Sequence, residues 1–267
     1  FIIAGDKLSM YLQHKGIPVF YKDEGKGNAI VLLHGFLENA LIWEPFIATL
    51  SKQNRVICID LLGHGKTGCL GYVHTMELMA ETVEAVLEHL KIKRSTFIGH
   101  SMGGYVALAF AEKNPDAIKG LCLMNSTANA DSPEKKKNRD RAILAVKQNH
   151  KTFIRIAIAN LFNPENRALF SEKIKAVIKD AQQTPLQGII AALEGMKIRE
   201  NREVLLHFTP FKKMFILGKK DPVLDYESLI SQIKNTKVKL VEFPDGHMSH
   251  IENKDEFLHN IMHFIEN

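Results

Sequence analysis

Three residues far apart in this 267-residue chain each follow a short apolar run. Ser101 comes after STFIGH, Asp221 after MFILGKK and His247 after VKLVEFPDG. A serine hydroxyl is a weak nucleophile until a base takes its proton. His247 is the candidate base. An acid accepting from the imidazole would fix its tautomer and steady the imidazolium. Asp221 is the candidate acid, which makes the chain order Ser, Asp, His. His250 competes with His247, and Asp225 is an alternative to Asp221. Asp245 stands too close in sequence to His247 to be preferred.

Such a set works only if the chain carries its members to one place. Six nearly continuous apolar runs read as buried strands: Ala29–Leu33, Arg55–Ile59, Ser95–Ile98, Leu121–Met124, Met214–Leu217 and Val238–Val241. Continuous rather than alternating apolar residues are expected when helices cover both faces of a sheet. Thr75–Leu90 has apolar residues at 76, 79, 83, 86, 87 and 90, a helical spacing, and 105–112 and 256–265 also read as helices. Strands alternating with helices predict an α/β fold with a doubly wound, mostly parallel sheet. Pro18–Tyr21 reads as an early antiparallel edge strand. From 126 to 208 only helical patterns occur, an insertion between two strands. Open parallel sheets bind ligands at the C-terminal ends of their strands. His34-Gly35-Phe36, Ser101, Asp221 and His247 all fall there.

The stretch GHSMGG, with a strand before it and a helix after it, resembles the nucleophile elbow of the α/β-hydrolase family. HGF at 34–36, DLLGHGKTG at 60–68, GKKDPV at 218–223 and PDGH at 244–247 match the same family in the same order. The resemblance spans nearly the whole chain. It implies an α/β-hydrolase fold with a helical cap inserted after the sixth strand. Residues 1–125 and 209–267 would form the core and 126–208 the cap. It implies a serine esterase working through an acyl-enzyme on a small to medium, mainly apolar ester. Ser101, Asp221 and His247 would be the catalytic triad. The backbone N–H groups of Phe36 and Met102 would form the oxyanion hole. Their side chains, with Trp43, would line the substrate pocket. His34, His64, His100 and Asp60 would stabilise loops. Carbon–carbon hydrolases, a menaquinone-pathway lyase and small-molecule receptors use the same triad and stay as alternatives. Haloalkane dehalogenases and epoxide hydrolases place an aspartate at the elbow, so Ser101 argues against both.

Other chemistries lack their signatures. HExxH, histidine–cysteine zinc spacing and phosphate-binding glycine fingerprints are absent, so no metal and no cofactor is expected. The net charge is +5. The densest basic run, Lys135 to Arg141, is interleaved with acids and has no aromatic residues, which reads as a solvated helix face. A small-molecule ester or acyl substrate is therefore the expected partner, with no nucleic acid and no membrane. Cys58, Cys69 and Cys122 form no CxxC pair, which fits a reducing, cytoplasmic compartment. The opening FIIAG is too short for a signal-peptide core, and a removed signal peptide stays an open alternative. Among Arg139, Arg141, Arg155 and Arg199, none can be assigned to a carboxylate-bearing substrate from sequence.

Overall fold

The structure, a computed structural model, describes residues 9–266. Strands β1 (Ser9–His14), β2 (Ile17–Gly25), β3 (Asn28–Leu33), β4 (Asn54–Ile59), β5 (Ser95–His100), β6 (Ile118–Met124), β7 (Lys212–Gly218) and β8 (Lys239–Phe243) form one sheet. Its order is β1-β2-β4-β3-β5-β6-β7-β8. All pairings from β4 to β8 are parallel, and β2 runs antiparallel to both β1 and β4. The early antiparallel strand expected at Pro18–Tyr21 therefore exists but is not the edge. β1 covers it, drawn from a stretch with no continuous apolar run.

Helices α1 (Glu44–Leu50), α2 (Met76–His89), α3 (Met102–Lys113), α8 (Tyr226–Ile233) and α10 (Lys254–Glu266) flank the sheet, with a short α9 (Ser249–Glu252) between β8 and α10. Successive strand residues point to opposite faces. Val31 and Leu33 join one core with Ile57, Phe97, Leu121 and the inner faces of α2 and α3. Ile30 and Leu32 join the other, with Cys58, Ile98, Cys122 and the inner faces of α1 and α10. Both faces are covered, so the strands are apolar at nearly every position.

The helical cap follows the sixth strand. It contains α4 (Pro133–Ala159), α5 (Ser171–Ala181), α6 (Leu186–Lys197) and α7 (Val204–Phe208). Ser132 starts α4 by accepting from Lys135 N–H at 3.2 Å, and Pro133 follows it. The helix is kinked at Asn149, whose backbone leaves helical values. The Asn149 side chain restarts the helix by accepting from Thr152 N–H at 3.0 Å. Among the described residues no helix is long and apolar enough to cross a membrane.

Candidate active site

Ser101 sits between the end of β5 and the start of α3 at φ 50° and ψ −113°. A non-glycine residue seldom holds that backbone. Its neighbours hold it there. Ser101 N–H donates to Met124 O at 2.9 Å, and Ser101 O accepts from Ser126 Oγ at 2.7 Å. The turn closes because its glycines have no side chains. A Cβ on Gly99 would lie 2.5 Å from Gly103 O, and one on Gly103 would lie 2.4 Å from Leu33 O. The start of α3 thus lies directly against the end of β3.

His247 Nδ1 lies 2.7 Å from Asp221 Oδ2, and both side chains are buried. Asp221 is fixed in turn. Its Oδ1 accepts from Val223 N–H at 2.8 Å and Leu224 N–H at 3.1 Å, and its Oδ2 accepts from Asn125 Nδ2 at 3.1 Å. Burial alone would raise the Asp221 pKa, but the charge and hydrogen bond of His247, with these donors, hold it below the usual carboxylate range. With Nδ1–H directed at a carboxylate, Nε2 is the imidazole's remaining acceptor.

Ser101 and His247 line one cavity of about 90 Å³, with Phe36, Tyr105 and Leu37 from the core side. Ile158, Leu161, Met196 and Arg139 close it from the cap. The cap also grips the histidine loop, since His247 N–H donates to Leu161 O at 2.8 Å. The backbone N–H groups of Phe36 and Met102 make no hydrogen bond to protein among the described residues.

The alternatives to the three residues have other work. Asp225 caps α8, accepting from Ser228 N–H at 2.8 Å. Asp245 accepts from Asn163, Asn166 and Asn253 side chains. The His250 ring packs 6.2 Å from the Trp43 ring and does not line the Ser101 cavity. Two expected wall residues also fall away. Trp43 is fully buried on the far face of the sheet, stacked on Phe257 at 6.3 Å, because a 3-10 helix over Ala40–Trp43 turns it inward. The Met102 side chain points into the core with Val31 and Phe97, since it stands one helical step past Ser101. Phe36 alone of the three lines the cavity.

A family model for the α/β hydrolase fold matches residues 28–254. The chain belongs to the α/β hydrolase fold family. Over 95% of its length it is 24% identical to 3-oxoadipate enol-lactonase 1 of Acinetobacter baylyi, covering 94% of that protein. A shorter match, 32% identical over 131 residues, is to a putative non-heme haloperoxidase of Mycobacterium phage D29. That match spans 47% of the phage protein, so the chain aligns with about half of its length. Among solved structures, an esterase from Thermogutta terrifontis superposes with a TM-score of 0.89 at 29% identity, covering 97% of both chains.

Two residues of this α/β hydrolase escaped the reading of motifs. Asn125 directly follows the apolar strand β6, and a polar residue just past a strand's C-terminal end was its one signal. It holds Asp221, accepts from Ser249 Oγ at 2.6 Å and donates to Gly246 O at 3.2 Å. Glu38 carried no signal beyond standing after HGFL. It is buried, and its Oε2 accepts from Gly35 N–H at 2.6 Å and pairs with His100 Nδ1 at 2.7 Å. Glu38, His100 and His250 bring one ligand atom each within 4.8 Å of one another. The loop roles expected of the other residues have partners to match. His34 Nε2 accepts from Leu61 N–H, and Asp60 accepts from Ala40 and Lys66 N–H groups.

Two buried histidines, His64 and His250, work against the fold in acid. Burial pushes His64 and His250 down to about 3. Both stay neutral in the fold, while in the unfolded chain they take up protons below about 6.5. The unfolded state then binds more protons, so stability falls as pH drops from about 6.5 towards 3. Each histidine contributes up to about 1.4 kcal/mol per pH unit in that window. The urea midpoint is expected to be lower at pH 5 than at pH 7. A midpoint that holds or rises on acidification contradicts this.

Proposed function

We propose that the protein is a serine hydrolase of carboxylic esters acting through an acyl-enzyme. One observation carries the reading: Ser101, on a strained turn at the start of α3, shares a small cavity with His247, whose Nδ1 is tied to buried Asp221. Ser101 Oγ attacks the ester carbonyl as His247 Nε2 takes its proton. Asp221 keeps the imidazole in the right tautomer and stabilises the imidazolium. The Phe36 and Met102 N–H groups donate to the developing oxyanion. His247 returns the proton to the leaving alcohol, and water then releases the acid by the same route. Residues 126–208 act as one cap over a core of 1–125 and 209–267.

The size of the cavity supports a small substrate. At about 90 Å³ it is far smaller than the ~300–1,000 Å³ of sites for drug-sized ligands. Phe36, Ile158, Leu161 and Met196 make most of its wall apolar. A short, mainly apolar acyl chain fits it. Relatives named as an esterase and an enol-lactonase support ester and lactone chemistry.

The test is a p-nitrophenyl ester series from acetate to dodecanoate, with fluorophosphonate labelling alongside. Turnover that peaks at the short end, with Ser101 labelled, is the expected result. A protein that neither hydrolyses any of these esters nor takes the label overturns the reading.

A further inference from the structure

Among the described residues the wall of the catalytic cavity holds one permanent cation, Arg139, and that cation is incompletely paired. Arg139, on α4, donates from Nε to Asp131 Oδ2 at 2.9 Å. Arg199 donates from Nη1 to the other oxygen of Asp131 at 2.7 Å. Two guanidinium groups thus share one carboxylate, which leaves a net charge of +1. Burial alone would raise the Asp131 pKa, but the two arginines hold it lowered, so it stays ionised.

The excess charge belongs to Arg139. Arg199 is buried and engaged: Nε donates to Asn129 O at 3.1 Å, Nη1 also reaches Met196 O at 3.0 Å, and the group lies 4.1 Å over the Tyr105 ring. Arg139 uses only Nε. Its Nη1 and Nη2 make no hydrogen bond among the described residues, and the residue lines the cavity that holds Ser101. Among the described residues no aspartate or glutamate lines that cavity. Arg141 bonds Asn138 at the surface, and Arg155 is exposed. A cavity meant only for neutral esters gains nothing from an unpaired guanidinium fork, which costs free energy when a ligand strips its water. The fork matches a carboxylate in two-point geometry.

We propose that the substrate is an ester or lactone with a carboxylate at its far end, held by Nη1 and Nη2 of Arg139 while Ser101 attacks the carbonyl. This rests on the serine-hydrolase reading above. The reaction is unchanged: one C–O bond breaks, one water is consumed, and a dicarboxylate or a hydroxy acid bearing a second carboxylate is released. Asp131 is then a positioning residue that orients the fork.

The experiment compares monomethyl succinate, glutarate and adipate with methyl 5-methylhexanoate, a neutral ester shaped like the glutarate half-ester. Acid release is followed by pH-stat in wild type, Arg139→Met and Arg139→Lys. Asp131 keeps Arg199 in both variants, so the cap stays paired. In Arg139→Met, KM for at least one half-ester is expected to rise about tenfold or more beyond any rise for the neutral ester, the loss expected for a charge-assisted contact. Arg139→Lys should recover part of that ratio, because it keeps the charge and loses the fork. Glutarate should slow fluorophosphonate labelling of wild type and not of Arg139→Met, a readout that needs no turnover. Equal changes for anionic and neutral esters, with no glutarate protection, sink the proposal and leave the hydrolase standing. Failure to hydrolyse any ester or to take the label sinks the hydrolase reading itself.

Discussion

Ser101→Gly is expected to lose ester turnover by about 10⁴-fold or more and to melt higher than Ser101→Ala. The first effect follows from the nucleophilic role proposed for Ser101, since losing an activated nucleophile would leave only binding and oxyanion contacts. The second follows from the backbone. Ser101 is held at φ 50° and ψ −113° by Met124 O, Ser126 Oγ and the approach of α3 to β3. Such a conformation costs a non-glycine residue about 1–3 kcal/mol. Alanine keeps that cost and should melt close to wild type. Glycine removes it but has more unfolded-state entropy to lose, about 0.5–1 kcal/mol, so the net gain is about 1 kcal/mol. Thermal melts of the three proteins beside kcat measurements check both halves. A glycine variant that melts below the alanine variant would show that the turn stores no strain.

Replacing Glu38 should damage stability and rate together. This buried carboxylate joins two loops: it accepts from Gly35 N–H beside Phe36, and it holds His100, whose Nε2 lies 3.0 Å from His247 O. Glu38→Ala would leave a buried imidazolium and a buried N–H without partners, a loss of about 3–5 kcal/mol. Glu38→Gln keeps an acceptor and should cost less, while still loosening the Phe36 N–H and lowering kcat.

The pair also has its own pH signature. Burial alone would raise the Glu38 pKa, but His100 and the Gly35 N–H bring it to about 2, from 4.5. Its contribution is therefore full above about pH 4.5 and fades as pH falls towards 2. Burial alone would lower His100, but the charge and hydrogen bond of Glu38 raise it above 6.5. Its contribution is full below about pH 6.5 and fades as pH rises through the folded value. The stability difference between wild type and Glu38→Gln should peak between about pH 4.5 and 6.5. A difference independent of pH would mean that the two groups are not an ion pair.

The sequence by itself determined the sheet and the edge where the candidate site residues gather. Runs such as AIVLL and LCLM are apolar at every position because their strands are covered on both faces, and that pattern survives without coordinates. GHSMGG is legible for a similar reason: the turn and the start of α3 are built from adjacent residues whose missing side chains are visible in the text. What only the tertiary structure decided are side-chain directions and distant pairings. Trp43 and Met102 stand near the right loops yet point into the core, since one step along a 3-10 or α-helix rotates a side chain by about 100–120°. Pro18–Tyr21 reads as an edge strand, but β1 pairs outside it. Glu38 meets His100 across 62 positions, and Asn125 meets Asp221 across 96. Of four arginines alike in sequence, Arg139 alone lines the cavity, reaching it from α4 in the cap. Periodicity and turn chemistry are local and travel with the chain, whereas the facing of a side chain into a cavity depends on how distant elements cross.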